Sequence, residues 1–247
     1  MTLVTNYKIT VHFDGSRYSG WQFQAPPIKT IQGALMRALQ VIAKHRVVVT
    51  GSSRTDAGVH SSGLVANFHL KIKIAPESLK KALNSLLPED IRIMACEVMD
   101  KSFNARFSAK GKIYIYRIYF GQTVSPFLCR YMHHIPYPLN LRQMRKCPPY
   151  FIGEKDFSSF TSDDPDKERT REISEFTMKV RGEEIILTIT GKSFLRYMVR
   201  NIIGTIIDVG RGKLKPGDIP AIFAAKDRKK AGQAAPSKGL TLAKVIY

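Results

Sequence analysis

The residues best suited to chemistry stand in one short stretch, Gly51-Ser-Ser-Arg-Thr-Asp-Ala-Gly-Val-His60, between two apolar runs. Asp56 supplies a carboxylate, Arg54 supplies a guanidinium two residues earlier, and Gly58 lets the backbone turn sharply after the acid. Rigid scaffolds often carry catalytic groups on such loops. The stretch is therefore either a loop that presents a catalytic acid or a surface turn with an ion pair.

The charge of the chain favours a polyanionic partner. Its 247 residues include 39 Lys and Arg against 20 Asp and Glu, which gives a formal net charge of +19. Such an excess is typical of proteins that bind nucleic acid, although an anionic membrane surface would also attract it. The sequence has neither a basic amphipathic helix with aromatic residues on its apolar face nor an apolar run of spanning length. We therefore predict a nucleic-acid partner and no membrane association.

Several other classes of site are absent from the sequence. Cys96, Cys129 and Cys147 are odd in number and far apart, which argues against a disulfide framework and against a zinc site. The sequence contains no phosphate-binding loop, no zinc-protease motif and no nucleophile elbow. Any catalysis is thus predicted to use side chains alone, without metal or cofactor. The N-terminal residues lack the apolar segment of a signal peptide, so we expect a cytoplasmic protein.

Apolar periodicity predicts the order strand, helix, strand, strand, helix, strand in the first part of the chain, with strands at 7–13, 47–49, 64–70 and 91–95 and helices at 31–44 and 76–87. This is the ferredoxin-like βαββαβ order. The stretch around Asp56 then joins two strands. An irregular loop, 14–27, contains Arg17 and the single tryptophan, Trp21, which either supports RNA or anchors the loop to the core.

In the second part of the chain, apolar periodicity predicts the same order with an added helix. The predicted strands are 113–120, 176–180, 185–189 and 240–246, and the predicted helices are 139–147, 193–209 and a last helix capped by Asp218. Arg196 and Arg200 would share one face of the 193–209 helix. We predict an α+β protein of two ferredoxin-like units, 1–104 and 105–247, whose sheets lie side by side around a central basic cleft.

Two tyrosines on the predicted strand 113–120 suit base stacking. Tyr114 and Tyr116 point to one face, and sheet-borne aromatics stack on unpaired bases, but strands also bury aromatics in the core. The nearby cations Arg106 and Lys112 could follow a phosphate backbone or simply lie in solvent. Position alone leaves both alternatives open.

Six motifs together resemble the tRNA pseudouridine synthase A family, nearly from end to end. They are Phe13-Asp-Gly-Ser-Arg-Tyr-Ser-Gly-Trp-Gln22, Arg54-Thr-Asp-Ala-Gly-Val-His60, Ala105-Arg-Phe-Ser-Ala109 with Tyr114 and Tyr116, Asp156-Phe-Ser-Ser-Phe160, Phe194 through Met198-Val-Arg-Asn201, and Ala224-Ala-Lys-Asp-Arg228 with Gly239-Leu240. The resemblance implies a cofactor-free isomerase that converts uridine to pseudouridine on the 3′ side of the anticodon stem-loop of tRNA. It also implies a homodimer.

The resemblance assigns roles to particular residues. Asp56 would be the catalytic carboxylate, acting as nucleophile or as base at the sugar, and Arg200 would pair with it. Arg54 would help to hold the nucleotide out of the stack, and Tyr114 would stack on the flipped uracil. The remaining substrate-binding candidates are Arg17, Arg106 and Lys112.

Two rivals and two departures qualify the resemblance. A catalytically silent RNA-binding module would explain the charge, and a carboxylate-dependent RNA hydrolase would explain the acid, although the latter lacks a second acid or a metal site. Ser53 stands where the family usually has Gly. Pro148-Pro149 interrupts a segment that the family usually keeps helical.

Overall fold

The computed structural model describes residues 4–162 and 168–247. The chain divides into two compact units: Met1–Lys110 with Leu242–Tyr247 form the first, and Gly111–Thr241 form the second. The first compact unit ends at 110 and also includes the end of the C-terminal strand, and the domain boundary at 104/105 stays a prediction. Both units combine helices with strands, which confirms the α+β class.

The first unit has the predicted βαββαβ order. Its elements are β1 (Thr5–Phe13), α1 (Ile31–Ala43), β2 (Val49–Gly51), β3 (His60–Leu70), α2 (Pro76–Leu86) and β4 (Ile91–Met99). The strands have the order β4-β1-β3, β2 pairs with β3, and the β1–β4, β1–β3 and β2–β3 pairings are antiparallel. Two parallel strands, β1 and β2, are thus separated by β3, as in a split βαβ unit.

Apolar alternation accounts for the core of this unit. Tyr7, Ile9 and Val11 are fully buried on one face of β1. Helix α1 begins where the Thr30 side chain accepts a hydrogen bond from the backbone N–H of Gly33 at 3.2 Å, and it ends at Lys44 in the left-handed conformation. The cap and the apolar stripe together position α1 against the sheet.

The second unit contains β5 (Gly111–Tyr119), β6 (His133–His134), α3 (Leu141–Met144), β7 (Gly153–Asp156), β8 (Thr170–Arg181), β9 (Glu184–Gly191), α4 (Met198–Gly210), α5 (Ile219–Ala225) and the start of β10 (Leu240–Ile246). Its strands follow the order β5-β9-β8-β7. The predicted hairpin is confirmed, because β8 and β9 pair antiparallel around Gly182, whose φ is 54°.

Two predicted helices are shorter than their apolar patterns suggest. The helix predicted at 139–147 has α-helical geometry only at Leu141–Met144 and continues as a 3₁₀ turn at Pro148–Phe151, because the prolines lack the N–H that an α-helix needs. The helix predicted to begin at 193 begins at Met198, because Tyr197 has a left-handed φ of 59°. The prediction that Arg196 lies on this helix was therefore wrong.

Among residues 4–162 and 168–247, no helix is both long enough and apolar enough to cross a bilayer.

Candidate functional site

The segment 51–60, which we call the Asp56 loop, connects β2 to β3 in the first unit. Asp56 is half-buried and Arg54 is exposed, whereas Ser52 and Thr55 are buried. The backbone is held at its base, where the Ser52 N–H donates to the Val65 carbonyl at 2.8 Å, and it turns at Gly58 with φ of 74°. The loop therefore presents the carboxylate from a defined backbone.

A second loop, 14–30, packs on the Asp56 loop. The backbone N–H of Trp21 donates to the Thr55 carbonyl at 3.1 Å, and the backbone N–H of Gly58 donates to the Tyr18 carbonyl at 3.2 Å. Trp21 is only 1% exposed, and its ring lies so close to Gly51 that a Cβ there would be 2.4 Å from it. Trp21 thus anchors the two loops, and the alternative that it offers its ring to RNA was wrong.

Gly20 makes this close packing possible. Its φ is 86°, and a Cβ at this position would lie 2.4 Å from the Thr55 carbonyl oxygen. We expect Gly20→Ala to displace the Asp56 loop, to destabilise the protein by about 1–3 kcal/mol and to lower the rate of any reaction that uses Asp56 at least about tenfold, because both strain and overlap act next to Asp56. Thermal unfolding and single-turnover kinetics would measure the two effects.

Gly212→Ala is the matched control for that variant. Gly212 has a similar φ of 75°, but nothing lies within 4 Å of a Cβ built there. It therefore carries the conformational strain without the overlap. An equal loss of rate in both variants would contradict a role for the contact between Gly20 and Thr55.

Tyr114 and Tyr116 share the buried face of β5 in the second unit. Tyr116 is fully buried, and its hydroxyl donates to the Pro236 carbonyl at 2.8 Å, so it is a core residue. Tyr114 is 7% exposed and meets Phe194 edge to face, with ring centroids 5.2 Å apart. The contact with Phe194 fixes one side of the Tyr114 ring within the second unit.

Arg200 lies in the first turn of α4, where the helix dipole disfavours a cation. Two contacts oppose this effect: its Nε donates to the Ala235 carbonyl at 2.7 Å, and its guanidinium lies 4.9 Å from the centroid of the Tyr197 ring. Arg196 stacks on the same ring at 5.1 Å. The left-handed Tyr197 therefore brings the two arginines together, although they do not share a helix.

The segment 231–236 positions both Arg200 and Tyr116, and the sequence patterns did not predict it. Ala235 accepts from Arg200, and the neighbouring Pro236 accepts from Tyr116. A Cβ at Gly204 of α4 would lie 1.7 Å from the Gln233 carbonyl oxygen. A glycine among the bulky apolar residues of α4 was a sequence signal of this close approach.

Asn201, next to Arg200 in α4, is a further positioning residue that sequence reasoning missed. Its amide donates to the Phe160 carbonyl at 2.7 Å and accepts from the Arg228 guanidinium at 2.8 Å. Three of the recognised motifs thus meet at one buried side chain. Such a satisfied polar network holds the start of α4 in a single arrangement.

The remaining predicted substrate-binding residues occupy separate elements. Arg17 is exposed at the end of a 3₁₀ turn in the 14–30 loop, and Arg106 is exposed in the 104–108 turn of the first unit. Lys112 lies on β5 opposite Gly191. Arg54, Asp56, Arg17 and Arg106 therefore belong to the first unit, whereas Tyr114, Lys112 and Arg200 belong to the second.

Other titratable side chains have structural roles. Burial opposes ionisation of Asp156, but hydrogen bonds from Lys226 at 2.8 Å and from Ser158 outweigh it and lower the pKa of Asp156 to about 2. Burial raises the pKa of Cys96 to about 11 and that of Cys147 to about 12, so these thiols stay protonated. No group of three or more potential metal ligands occurs in the part of the chain that the structure describes.

Comparison with known proteins identifies the family. The sequence model of the tRNA pseudouridine synthases matches residues 9–108 and 149–247. A tRNA pseudouridine synthase A of Caldicellulosiruptor saccharolyticus is 44% identical over 98% of this chain and 99% of its own. The proteins of the same name from Thermodesulfovibrio yellowstonii and Bacillus licheniformis are 40% and 41% identical, over 99% and 97% of this chain and 100% and 98% of their own.

Among solved structures, a crystal structure of an archaeal box H/ACA sRNP Nop10-Cbf5 complex matches 81% of this chain and 43% of the other, with 11% identity and a TM-score of 0.35. A Cbf5-Nop10-Gar1 complex matches 95% of this chain and 57% of the other, with 10% identity and a TM-score of 0.36. The sequence matches to the synthases, at 40% and 44% identity over 99% and 98% of this chain, establish that the chain belongs to the tRNA pseudouridine synthase family of isomerases.

Proposed function

We propose that the protein isomerises uridine to pseudouridine on the 3′ side of the anticodon stem-loop of tRNA, without a cofactor, and that Asp56 is the catalytic carboxylate. The observation that carries this proposal is the Asp56 loop itself. Its acid is half-buried, and glycines at Gly15, Gly20 and Gly51 let neighbouring backbone and the Trp21 ring pack directly against the loop. A surface turn with an incidental ion pair would not need such close support.

The reaction requires little beyond a positioned carboxylate. The bond between uracil N1 and ribose C1′ breaks, the base turns, and a bond forms between C5 and C1′. The hydrogen on C5 is lost and N1 gains one, so the product is an isomer of the substrate and no electrons are gained or lost. Asp56 would either attack C1′ or remove a proton from the sugar.

The other residues act on a uridine that has left the base stack. Tyr114 would stack on the uracil, and base–aromatic stacking contributes roughly 1–3 kcal/mol, comparable with the few kcal/mol needed to extrude a base. Arg54 would help to hold the nucleotide outside the stem. Arg200, which the Ala235 carbonyl and the Tyr197 ring orient, would pair with Asp56.

Incubation with an unmodified tRNA transcript and no added cofactor tests the proposal. We expect pseudouridine in the 3′ half of the anticodon stem-loop, located by nucleotide-resolution mapping. Binding without modification would instead favour a silent RNA-binding module, and strand cleavage would favour a hydrolase. Pseudouridine at another site in the tRNA would support the proposed reaction but contradict the assigned position.

The basic surface predicts a steep effect of salt on tRNA affinity. Arg17, Arg106 and Lys112 would contact phosphates, and each neutralised phosphate releases counterions. If roughly 6–10 phosphates are contacted, affinity should fall roughly 10³- to 10⁵-fold between about 50 and 200 mM salt. Fluorescence anisotropy of labelled tRNA would measure the slope, and a nearly flat dependence would count against electrostatic docking.

We also propose that the protein works as a homodimer that binds one tRNA across both subunits, as the resemblance implies. Mass measurement in solution, with and without tRNA, tests this. A dimer of about twice 27.9 kDa is expected, and a monomer at micromolar concentration would contradict it.

A further inference from the structure

Phe107 is an exposed aromatic side chain that the proposed catalytic roles leave unexplained. It is 77% exposed, and it lies in the turn 104–108, which we call the aromatic turn. The guanidinium of the adjacent Arg106 lies 5.4 Å from the centroid of the Phe107 ring. The bases of single-stranded nucleic acids stack on exposed aromatic rings of this kind, which have a cation on one face and leave the opposite face open.

The aromatic turn is held by its own hydrogen bonds. The Asn104 side-chain oxygen accepts from the backbone N–H of Arg106 at 2.9 Å and of Phe107 at 3.2 Å. The Ser108 N–H donates to the Asn104 carbonyl at 2.9 Å, and the Ser108 hydroxyl accepts from the Asn104 N–H at 3.2 Å. Phe107 is thus presented by an ordered backbone, which lowers the entropic cost of binding.

The aromatic turn is also anchored to the strands that carry the Asp56 loop. The Ala105 N–H donates at 2.8 Å to the side chain of Asn67, which pairs with Thr50 across β2 and β3. The hydroxyl of Tyr247 donates to the Ala105 carbonyl at 2.7 Å. The two segments therefore share their supports within the first unit.

The charge around the aromatic turn suits an RNA. Lys101, Arg106 and Lys110 are all exposed in the stretch 100–110, against one acid, Asp100. An apolar partner surface on another protein would gain little from three exposed cations in the same short stretch as the ring, whereas a polynucleotide offers phosphates for the cations and a base for the ring.

We infer that the aromatic turn is an RNA-stacking element, in which Phe107, backed by Arg106, stacks on an unpaired base of the bound tRNA outside the reaction centre. This inference rests on the proposed function only in naming tRNA as the RNA. Stacking carries no net charge, whereas Arg106 would also neutralise a phosphate, so the two side chains should differ in their effect on the salt dependence of binding.

The test measures the affinity of the full-length protein for a labelled, unmodified tRNA transcript over a range of salt concentrations. We expect Phe107→Ala to weaken binding roughly 5- to 150-fold at every salt concentration without changing the slope, and Phe107→Trp to restore it. Arg106→Ala should lower the magnitude of the slope by about one. Val48→Ala is the control, because Val48 is 72% exposed in the same unit and has no ring.

Folding should not obscure the result, since Phe107 has little packing to lose and Phe107→Ala should leave the unfolding temperature unchanged. Unchanged affinity in Phe107→Ala would overturn the inference. So would dissociation of an oligomer by Phe107→Ala, because the ring would then contact a second copy of the chain. Pseudouridine mapping with the unsubstituted protein separates the two proposals. If that protein formed no pseudouridine but its tRNA binding still depended on Phe107, the proposed function would be refuted and the stacking role of Phe107 would stand.

Discussion

Asp56→Ala is expected to abolish pseudouridine formation and to leave tRNA affinity within about threefold of the unsubstituted protein. The rate should fall at least about 10³-fold, because neither route at the sugar proceeds without the carboxylate. Affinity should persist because many phosphate contacts, rather than one acid, determine it. Single-turnover measurements with saturating enzyme would give the rate, and anisotropy would give the affinity.

Two further variants make the Asp56 result specific. Asp56→Asn keeps the size and most of the hydrogen-bonding capacity of the side chain but removes the charge, so it should be as inactive as Asp56→Ala. Asp100→Ala removes an exposed carboxylate from the same unit and should keep full activity. If Asp56→Asn retained more than about a tenth of the activity, Asp56 would be a structural residue of the loop and not the reacting group.

Substitution of Tyr114 is expected to have the second largest effect. Tyr114→Leu removes the aromatic ring and should lower the rate roughly 5- to 150-fold, as expected from the loss of one base–aromatic stack. Tyr114→Phe keeps the ring and should retain most of the activity. Tyr114→Ala should lose at least as much activity as Tyr114→Leu, and it should also lower stability, because Tyr114 is only 7% exposed and its truncation would leave a cavity.

Stability and chemistry are separated by measuring unfolding temperature alongside the single-turnover rate. Tyr119→Leu is the matched control, since Tyr119 lies on the opposite face of β5 and bonds through its hydroxyl to Glu183 at 2.5 Å. It should leave the rate unchanged. Equal losses of rate in Tyr114→Phe and Tyr114→Leu would show that the hydroxyl of Tyr114, rather than its ring, carries the role.

The order of helices and strands was predictable wherever the apolar periodicity and the glycines and prolines that end an element agreed. In β1, alternation alone predicted the buried face of Tyr7, Ile9 and Val11, because a side chain on a strand must point to one face or the other. The pattern failed at the start of α4. The apolar spacing continues back to Leu195, but it gives no information on the backbone of Tyr197. Tyr197 has a left-handed φ, and its ring contacts Arg196 and Arg200.

The sequence by itself determined the family, the βαββαβ order of the first unit and the candidate acid, since residue types, spacing and net charge are all local or additive properties. Only the tertiary structure decided which aromatics are core and which are surface. Trp21 and Tyr116 are buried, while Phe107 is exposed on an ordered turn. Burial depends on what the rest of the chain places against a residue. Trp21 contacts Gly51 and Tyr116 contacts Pro236, and both partners are distant in sequence.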